Sequence, residues 1–378
     1  MGNHIKFIVM VTNVSQKDRL TNTLLKVIIV AAVFYLLFTF VALLRHQWNP
    51  LWFVWEGTHF SQNDLSGNTG YDGQFVYAIA QKGLDAAPNL DNPPYRLQRI
   101  FLPWLIGVIS FHNPILVPWN ILLVNFMAIL GTVYVMGKWL RQHNTSVWYA
   151  LTYGLYVGTL MAYSRDVTEP LAYFLAACGL FLWLTKRPFA AVVLFAFAAL
   201  TKEQTMLFPI GLALAELFQF HWKRIFILGL TAVPLLIWEA YLYFVFGQIP
   251  LTSGPSVLLF PLWGILSQLS LDPGRLSGLL FVAIPAVLLL GIAIYLIVQN
   301  RRMSLAWLLL IQAVFVILLP LDVYEHLMHV GRNAGGLVVT AVFIFPWLNH
   351  WWRRGFSLAW IAPSFIWLIP ILRWSPWT

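Results

Sequence analysis

The apolar run VIIVAAVFYLLFTFVALL, residues 27–44, decides the fold class of this chain. A helix of this length and composition matches the hydrocarbon core of a bilayer. The residues before it are polar and basic, including Lys6, Lys17, Arg19 and Lys26, and the run lacks a small-residue cleavage site. We therefore expect a first membrane helix over residues 27–44 instead of a removed signal peptide, with the N-terminus in the cytoplasm.

The composition extends this pattern to the whole chain. Of 378 residues, 60% are hydrophobic and only 10% are charged, with 19 Trp and 28 Phe, which excludes an ordinary soluble domain. The formal net charge of +9 comes mostly from short basic pairs between apolar runs. Such pairs are typical of cytoplasmic loops, so we expect no nucleic-acid partner. Cys178 is the single cysteine, which excludes an internal disulfide.

The apolar runs predict an all-α polytopic membrane protein, one domain over residues 1–378, with about eleven transmembrane helices. After residues 27–44, these are residues 115–137, 147–163, 170–185, 189–200, 205–220, 225–246, 277–298, 305–321, 335–349 and 357–372. Residues 100–111 are apolar but too short to span, so we predict a short re-entrant or interfacial helix there. Extracytoplasmic loops are predicted at residues 45–112, with interfacial helices, and at residues 247–276. The second loop is either a plain connector or, over residues 257–266, an interfacial helix or lid.

This topology separates the charges between the two faces of the membrane. If residues 100–111 do not cross, the short basic pairs all fall on the cytoplasmic side, as the positive-inside rule requires. They are Lys138/Arg141, Lys186/Arg187, Lys223/Arg224, Arg301/Arg302 and Arg353/Arg354. Most acids, which were not used to build the topology, then fall on the outer face. We therefore expect a multi-pass protein of the inner (cytoplasmic) membrane whose chemistry is extracytoplasmic.

The longest polar interval, residues 66–103, lies in the first outer loop and reads SGNTGYDGQFVYAIAQKGLDAAPNLDNPPYRLQRIFLP. Asp72 follows Gly70 closely and precedes Gly73, and the missing side chains of these glycines would let a ligand approach the carboxylate. Asp72 also precedes an apolar segment, where aspartate is a common helix N-cap. Both interpretations stay open on the sequence alone.

Two further outer segments carry candidate site residues. Arg165, Asp166 and Glu169 precede an apolar run, and two acids three residues apart would share a face on a helical turn. A polar helix start is the simpler interpretation of Glu169. Lys202 and Glu203 follow a short helix at the outer boundary, where a lysine either snorkels to the lipid phosphates or faces the helix bundle.

A last polar segment, residues 322–332, holds Glu325, His326 and His329 at spacings of three and four. On a helix, this spacing suits a metal site or an anion-binding face. No third clear ligand follows at helical spacing, so we prefer Arg332 as a partner for phosphate, because a planar guanidinium suits oxyanions.

Several of these features together resemble the GT-C superfamily of integral-membrane glycosyltransferases, which use polyprenyl-phosphate sugars. They are the apolar first helix, Tyr71-Asp72-Gly73-Gln74 in the first outer loop, Arg-Asp-x-x-Glu-Pro at residues 165–170 and Leu-Thr-Lys-Glu at residues 200–203. The sequence looks most like bacterial members linked to cell-surface glycopolymers, over residues 27–217. The resemblance implies a GT-C-like fold with a long first extracytoplasmic loop.

The resemblance also implies roles for individual residues. Asp72 matches the carboxylate that acts as catalytic base or metal contact, and Lys202 matches a contact to the lipid-linked phosphate. Tyr71 and Gln74 flank Asp72 and would lie near the substrate. Relatives carry glycine where this chain has Glu203, and the paired-acid motif of the protein mannosyltransferases is missing. The cofactor therefore stays unknown, with a divalent cation as one possibility.

The implied reaction moves a sugar, with inversion, from a polyprenyl-phosphate carrier to a hydroxyl of an extracytoplasmic glycan, lipid or protein. Arg96, Arg99 or Arg332 would stabilise the phosphate leaving group, since positive charge would face developing negative charge. Arg96 and Arg99 could instead bind the head groups of membrane lipids. Two alternatives to an enzyme are a transporter or lipid-linked sugar flippase, whose charges would line a pathway, and a non-catalytic envelope scaffold.

Overall fold

The computed structural model describes residues 2–62, 64–253 and 273–373, which form helices and turns without a strand. This confirms the predicted all-helical class. In chain order the α-helices are α1 (Gly2–Arg45), α2 (Leu51–Val54), α3 (Thr58–Ser61), α4 (Gly73–Lys82), α5 (Pro93–Leu97), α6 (Phe101–Ser110), α7 (Leu116–Gln142), α8 (Leu151–Gly154), α9 (Val157–Tyr163), α10 (Glu169–Leu184), α11 (Pro188–Thr201), α12 (Leu207–Leu217), α13 (Trp222–Gly229), α14 (Ala232–Phe246), α15 (Pro250–Ser253), α16 (Pro273–Gly278), α17 (Ile284–Gln299), α18 (Ser304–Ile317), α19 (Leu321–Tyr324), α20 (Leu327–Asn333), α21 (Gly335–Ile344) and α22 (His350–Arg373). Short 3-10 helices lie at Gly83–Asn89, Val147–Ala150, Glu203–Met206 and Phe345–Trp347, and a π-helical turn lies at Leu279–Ala283.

Five helical segments in the described part of the chain are long and apolar enough to cross a bilayer. They are Thr23–Arg45, Leu116–Gln142, Trp222–Phe246, Leu276–Gln299 and His350–Arg373. A sixth results if Leu327–Asn333 and Gly335–Trp347, which meet at a bend of 49°, count as one span. These segments indicate a membrane protein.

The prediction of eleven spans is not confirmed. Predicted helices 170–185, 189–200 and 305–321 correspond to α10, α11 and α18, which have 16, 14 and 14 residues. Predicted helix 205–220 is reduced to the 11 residues of α12 after a 3-10 turn. Each is shorter than the roughly 20 residues that cross a hydrocarbon core upright.

Predicted helix 147–163 is wrong as one continuous element. It consists of a 3-10 turn, α8 and α9, with a break at Leu155 and the extended residue Tyr156. The segment is buried within the bundle, and the Tyr156 hydroxyl donates to the Gly331 carbonyl at 2.8 Å. Tertiary packing against α20 therefore replaces the regular helix that the apolar pattern suggested.

Helices α10, α11 and α12 connect two polar ends of the molecule. The paired helices α10 and α11 pack against each other, and their lengths correspond to about 24 and 21 Å at 1.5 Å per residue. Glu169 and Lys202 lie at one end of this pair, while Lys186 lies at the other. Glu216 at the last turn of α12 lies at the same end as Lys186. The two ends can therefore carry separate sites.

The first predicted loop, residues 45–112, contains the short helices α2 to α6. Helix α6 has 10 residues, or about 15 Å, so it cannot cross a bilayer alone. Leu102 and Ile106 are buried on one side, while Trp104 and Phe111 are exposed on the other. This arrangement suits an interfacial helix, as predicted for residues 100–111. In the second loop, the predicted lid at residues 257–266 lies outside the described residues.

The predicted sidedness can be tested with single cysteines in a Cys178→Ala background. Leu65 is 90% exposed in the first loop, and Gln142 and Arg302 are exposed at the other face. We expect Leu65→Cys to react with an impermeant maleimide in intact cells, and Gln142→Cys and Arg302→Cys to react only after permeabilisation. Labelling in the reverse pattern would contradict the extracytoplasmic position of the first loop.

Candidate functional site

Asp72 stands at the start of α4 in a closely packed turn. A Cβ atom on Gly73 would lie 2.2 Å from the Arg165 carbonyl oxygen, so this glycine lets two backbone segments approach each other. Gly70 has φ +66°, which favours glycine, and is packed against the backbone of Trp55 and Gly57. The glycines therefore serve chain packing, and the approach of a ligand to the Asp72 carboxylate stays a prediction.

The Asp72 carboxylate is held by two arginines. Arg96 Nη1 lies 3.0 Å from Asp72 Oδ1, and Arg332 Nη2 donates to Asp72 Oδ2 at 2.9 Å. No capping hydrogen bond forms from Asp72 to α4, so the N-cap interpretation is not supported. Although desolvation raises the pKa of the Asp72 carboxyl, Arg96 and Arg332 hold that pKa well below its usual range. Asp72 is therefore ionised at neutral pH and is a weak base in this state.

Arg96 connects Asp72 to the rim of the site. Its Nε and Nη2 atoms donate to the two carboxylate oxygens of Asp91 at 2.8 and 2.7 Å, the bidentate geometry favoured by arginine. The guanidinium also lies 4.3 Å from the centre of the Phe75 ring. Since the Asp72 side chain is 29% exposed and that of Asp91 is 33% exposed, this is the most solvent-exposed part of the network.

Arg99 occupies the next position in the network. It donates to both Glu203 carboxylate oxygens at 2.8 and 2.6 Å and to the Tyr95 hydroxyl at 2.7 Å. Arg99 therefore binds partners within the protein. The sequence alone had also allowed it to bind lipid head groups. The structure also shows that Glu203 fixes an arginine of the cluster.

Lys202 and Glu169 form the most buried ion pair near Asp72. Their Nζ and Oε1 atoms are 2.7 Å apart, and the side chains are only 5% and 4% exposed. Lys202 therefore faces the bundle and does not snorkel. Arg332 Nη1 lies 3.6 Å from the same Glu169 oxygen, so Arg332 stands between Glu169 and Asp72. Although burial lowers the pKa of the Lys202 ammonium, Glu169 opposes that effect.

Together these pairs form a cluster in which four cations face four carboxylates. The cations are Arg96, Arg99, Lys202 and Arg332, and the acids are Asp72, Asp91, Glu169 and Glu203. The cavity inside this cluster measures only about 20 Å³, close to the space that one water needs. It is lined by Asp72, Phe75, Val76, Ile79, Arg96, Arg99, Pro103, Val167, Thr168, Glu169 and Arg332. The space between the charges is therefore narrow and largely filled by their own ion pairs.

Tyr71 and Gln74 take different places around this cluster. The Tyr71 ring lies 4.9 Å from the Arg332 guanidinium carbon and stacks between Trp55 and His329. Gln74 accepts from the Gly57 N–H and donates to the Thr69 carbonyl at 3.1 and 2.7 Å. Tyr71 therefore borders the site, whereas the Gln74 amide is engaged in fixing the loop.

The predicted helical pairing of Asp166 with Glu169 is wrong. Asp166 lies in the turn before α10 with φ +48°, while Glu169 begins that helix and faces Lys202. Asp166 is buried, no described residue hydrogen-bonds to its carboxylate oxygens, and burial raises its pKa well above the usual range. Arg165 packs between the Trp52 and Trp55 rings at 4.8 and 4.5 Å. Neither residue lines the cavity of the cluster.

The metal interpretation of the last polar segment is also not supported. Glu325 and His326 lie in the break between α19 and α20, so the helical spacing from Glu325 to His329 does not apply. Among the described residues, no three His, Cys, Asp or Glu side chains converge on a position for a metal ion. Arg332 lies in the cluster, as its proposed phosphate role requires.

Three contributors to the cluster were missed by sequence reasoning. Phe75 supports Arg96, Asp91 binds it from the rim, and Tyr95 fixes Arg99. Tyr95 and Arg99 are four residues apart, but Arg99 lies beyond the end of α5 at Leu97, so helical spacing does not account for their contact. The contacts of Phe75 and Asp91 follow from how the loop folds back, which no local pattern reports.

Comparisons with protein-family models, with curated proteins and with solved structures found no match to this chain. The chemistry of the cluster must therefore be inferred from its own residues.

The burial of the Lys202–Glu169 pair predicts strong energetic coupling. Lys202→Met or Glu169→Gln leaves the other charge buried, at a cost of about 3–5 kcal/mol per single variant. We expect the double variant to unfold at a higher temperature than either single variant, as measured by thermal unfolding in detergent. Arg99→Gln and Glu203→Gln provide a more exposed control cycle. If the double variant lost as much unfolding temperature as the two single variants together, the direct pairing of Lys202 and Glu169 would be contradicted.

Proposed function

We propose that the protein is a glycosyltransferase of the GT-C type that moves a sugar from a polyprenyl-phosphate carrier to an extracytoplasmic hydroxyl. The observation that carries this proposal is the paired state of Asp72, a carboxylate held between Arg96 and Arg332 at the polar end of an apolar helix bundle. A base and two phosphate-binding groups are thereby within contact of each other. The resemblance in the first outer loop and at residues 165–170 and 200–203 supports the same reaction.

The donor fits the cations of the cluster. A polyprenyl-phosphate sugar carries one negative charge on a phosphodiester, and its lipid tail keeps that phosphate at the membrane boundary. Arg96 and Arg332 present planar guanidinium groups, which bind oxyanions through two parallel hydrogen bonds. Arg96 is the first contact in this scheme, because it lies on the more exposed side of the cluster.

Donor binding has a second effect, which is to change the basicity of Asp72. While Asp72 is bound to both arginines it is a weak base, and efficient general bases have pKa values near the working pH. A donor phosphate that takes over Arg96 and Arg332 removes these two ion pairs from Asp72. The pKa of Asp72 then rises, so the carboxylate becomes a competent base only when the donor is in place.

The transfer step follows from this exchange. Asp72 accepts the proton of the acceptor hydroxyl, and the hydroxyl oxygen forms a bond to the anomeric carbon of the sugar. The bond from that carbon to the phosphate oxygen breaks on the opposite face, and its electron pair leaves with the phosphate. The carrier phosphate gains a negative charge, which Arg96 and Arg332 stabilise. The configuration of the sugar is inverted.

Donor entry requires the site to open. A cavity of about 20 Å³ cannot hold a sugar, so the ion pairs between the first loop and the bundle must separate. The bonds to separate are Asp72–Arg332 and Arg99–Glu203, which join the loop to α20 and to the turn before α12. The proposed enzyme therefore works through a closed resting state and an open, donor-bound state.

A transporter or lipid-linked sugar flippase is the alternative function. Such a protein would move its substrate past the cluster and would show no dependence on the basicity of Asp72. The eight charged side chains of the cluster lie together at one end of α10 to α12, which favours a one-sided site, because a pathway needs polar groups along its length.

Asp72→Asn separates the proposed role of Asp72 as a general base from its role as the ion-pair partner of Arg96 and Arg332. Loss of a general base predicts at least a hundredfold drop in sugar transfer from synthetic polyprenyl-phosphate sugars. The same variant keeps Arg96 and Arg332 and removes their competitor, so its affinity for polyprenyl phosphate is expected to be equal to or higher than that of the parent. Transfer is measured with labelled sugar, and affinity by thermal shift with the sugar-free lipid phosphate.

Asp91→Asn is the matched control, since it also removes an acid from Arg96 but leaves Asp72 intact. We expect this variant to transfer sugar within a few-fold of the parent rate. Transfer by Asp72→Asn at the rate of the control would refute the catalytic role. Lipid-phosphate binding without any transfer by the parent protein would favour the flippase.

A further inference from the structure

A second cavity lies at the opposite end of helices α10 to α12 from Asp72. Its volume is about 410 Å³, compared with about 20 Å³ inside the charged cluster. It is formed by the α10–α11 turn, the end of α12, the start of α13 and the start of α18. The length of α10 and α11 separates the two cavities by about 20 Å.

The charges around this cavity favour an anion. Lys186, Lys223 and Arg224 line it together with one carboxylate, Glu216. Glu216 is only 2% exposed and already binds Arg224 at 3.2 Å and His221 at 2.7 Å. For Lys186 and Lys223, no described acid lies within ion-pair distance. The buried acid thus positions Arg224, while two lysines are left to bind a ligand.

The backbone of Lys186 has a conformation that it shares with eight other non-glycine residues of the described chain. Its φ angle is +62°, in the left-handed region where a helix end normally carries glycine. Lysine at this position is strained, and strain of this kind clusters at functional sites. The turn itself needs only the backbone, since the Lys186 N–H donates to the Trp183 carbonyl at 3.1 Å. Glycine at position 186 would therefore form the same turn.

The walls of the cavity indicate that the anion carries an apolar tail. Trp183, Leu184 and Ile227 lie beside the cations in the lining. Phe189 and Phe226, on the two helices that border the cavity, are each 69% exposed, which is a surface suited to lipid chains. A head group could place its phosphate between the lysines while its acyl chains follow these aromatic side chains.

We infer that this cavity binds the head group of an anionic phospholipid from the membrane leaflet opposite the proposed catalytic site. Basic pockets between membrane helices are suited to such head groups. The inference stands independently of the proposed glycosyl transfer, because it uses none of the residues around Asp72. The lipid would hold the ends of α10, α12 and α13 together.

The test uses the full-length protein in an uncharged detergent, titrated with short-chain phosphatidylglycerol and followed by native mass spectrometry. Each lysine removed is expected to weaken binding about fivefold. Lys186→Gly is the most informative variant, since it removes the charge and relieves the backbone strain. We expect it to bind less lipid while its unfolding temperature without lipid stays equal or rises. Lys223→Gln should add to its effect.

Three comparisons decide the result. Short-chain phosphatidylcholine should bind at least tenfold more weakly than phosphatidylglycerol, and equal binding would overturn the proposal. Glycerol 3-phosphate should bind far more weakly than the lipid, and equal affinity would overturn the assignment to a lipid. Lys138→Gln with Arg354→Gln, two charges outside the cavity lining, should bind like the parent. An equal loss in this control would show that surface charge alone attracts the lipid.

Discussion

Charges inside an apolar chain are stable only where opposite charges are placed against them, and this constraint organises the region around Asp72. Arg332 reaches Asp72 from 260 residues further along the chain, and Glu203 reaches Arg99 across 104 residues. These pairs attach the first loop to α12 and α20, so the position of the loop depends on them. The same pairs fill the cavity, so under the proposed function the entry of a donor breaks contacts that hold the loop in place.

The sequence was a good guide to the class of fold and a poor guide to the length of its elements. The apolar composition predicted an all-helical membrane protein because lipid leaves helices as the simplest way to pair the backbone. Every apolar run except residues 100–111 was then taken as one span, although the segment around Tyr156 is broken and buried, and α10 and α11 are short. Hydropathy measures the tendency of a side chain to leave water for an apolar environment. It does not distinguish burial against lipid from burial against protein.

For the candidate site, the sequence identified most members but not their partners. Asp72, Arg96, Lys202 and Arg332 were selected because polar groups are rare in such a chain, and the structure brings them together. Local spacing misled at Asp166, because a turn with positive φ breaks the helical relation to the next acid. Pairing over long chain distances depends on the tertiary fold, which a single sequence does not report.

The chain distance between Asp72 and Arg332 also has a consequence for biosynthesis. At about 5–20 residues per second, the ribosome needs roughly 13–50 s to add the 260 residues that separate them. During that interval the newly made first loop contains Asp72 and Arg96, but Arg332 has not yet been synthesised. The closed site is therefore among the last parts of the molecule to form, and a nascent chain that stops before α20 carries the loop without the contact that secures it.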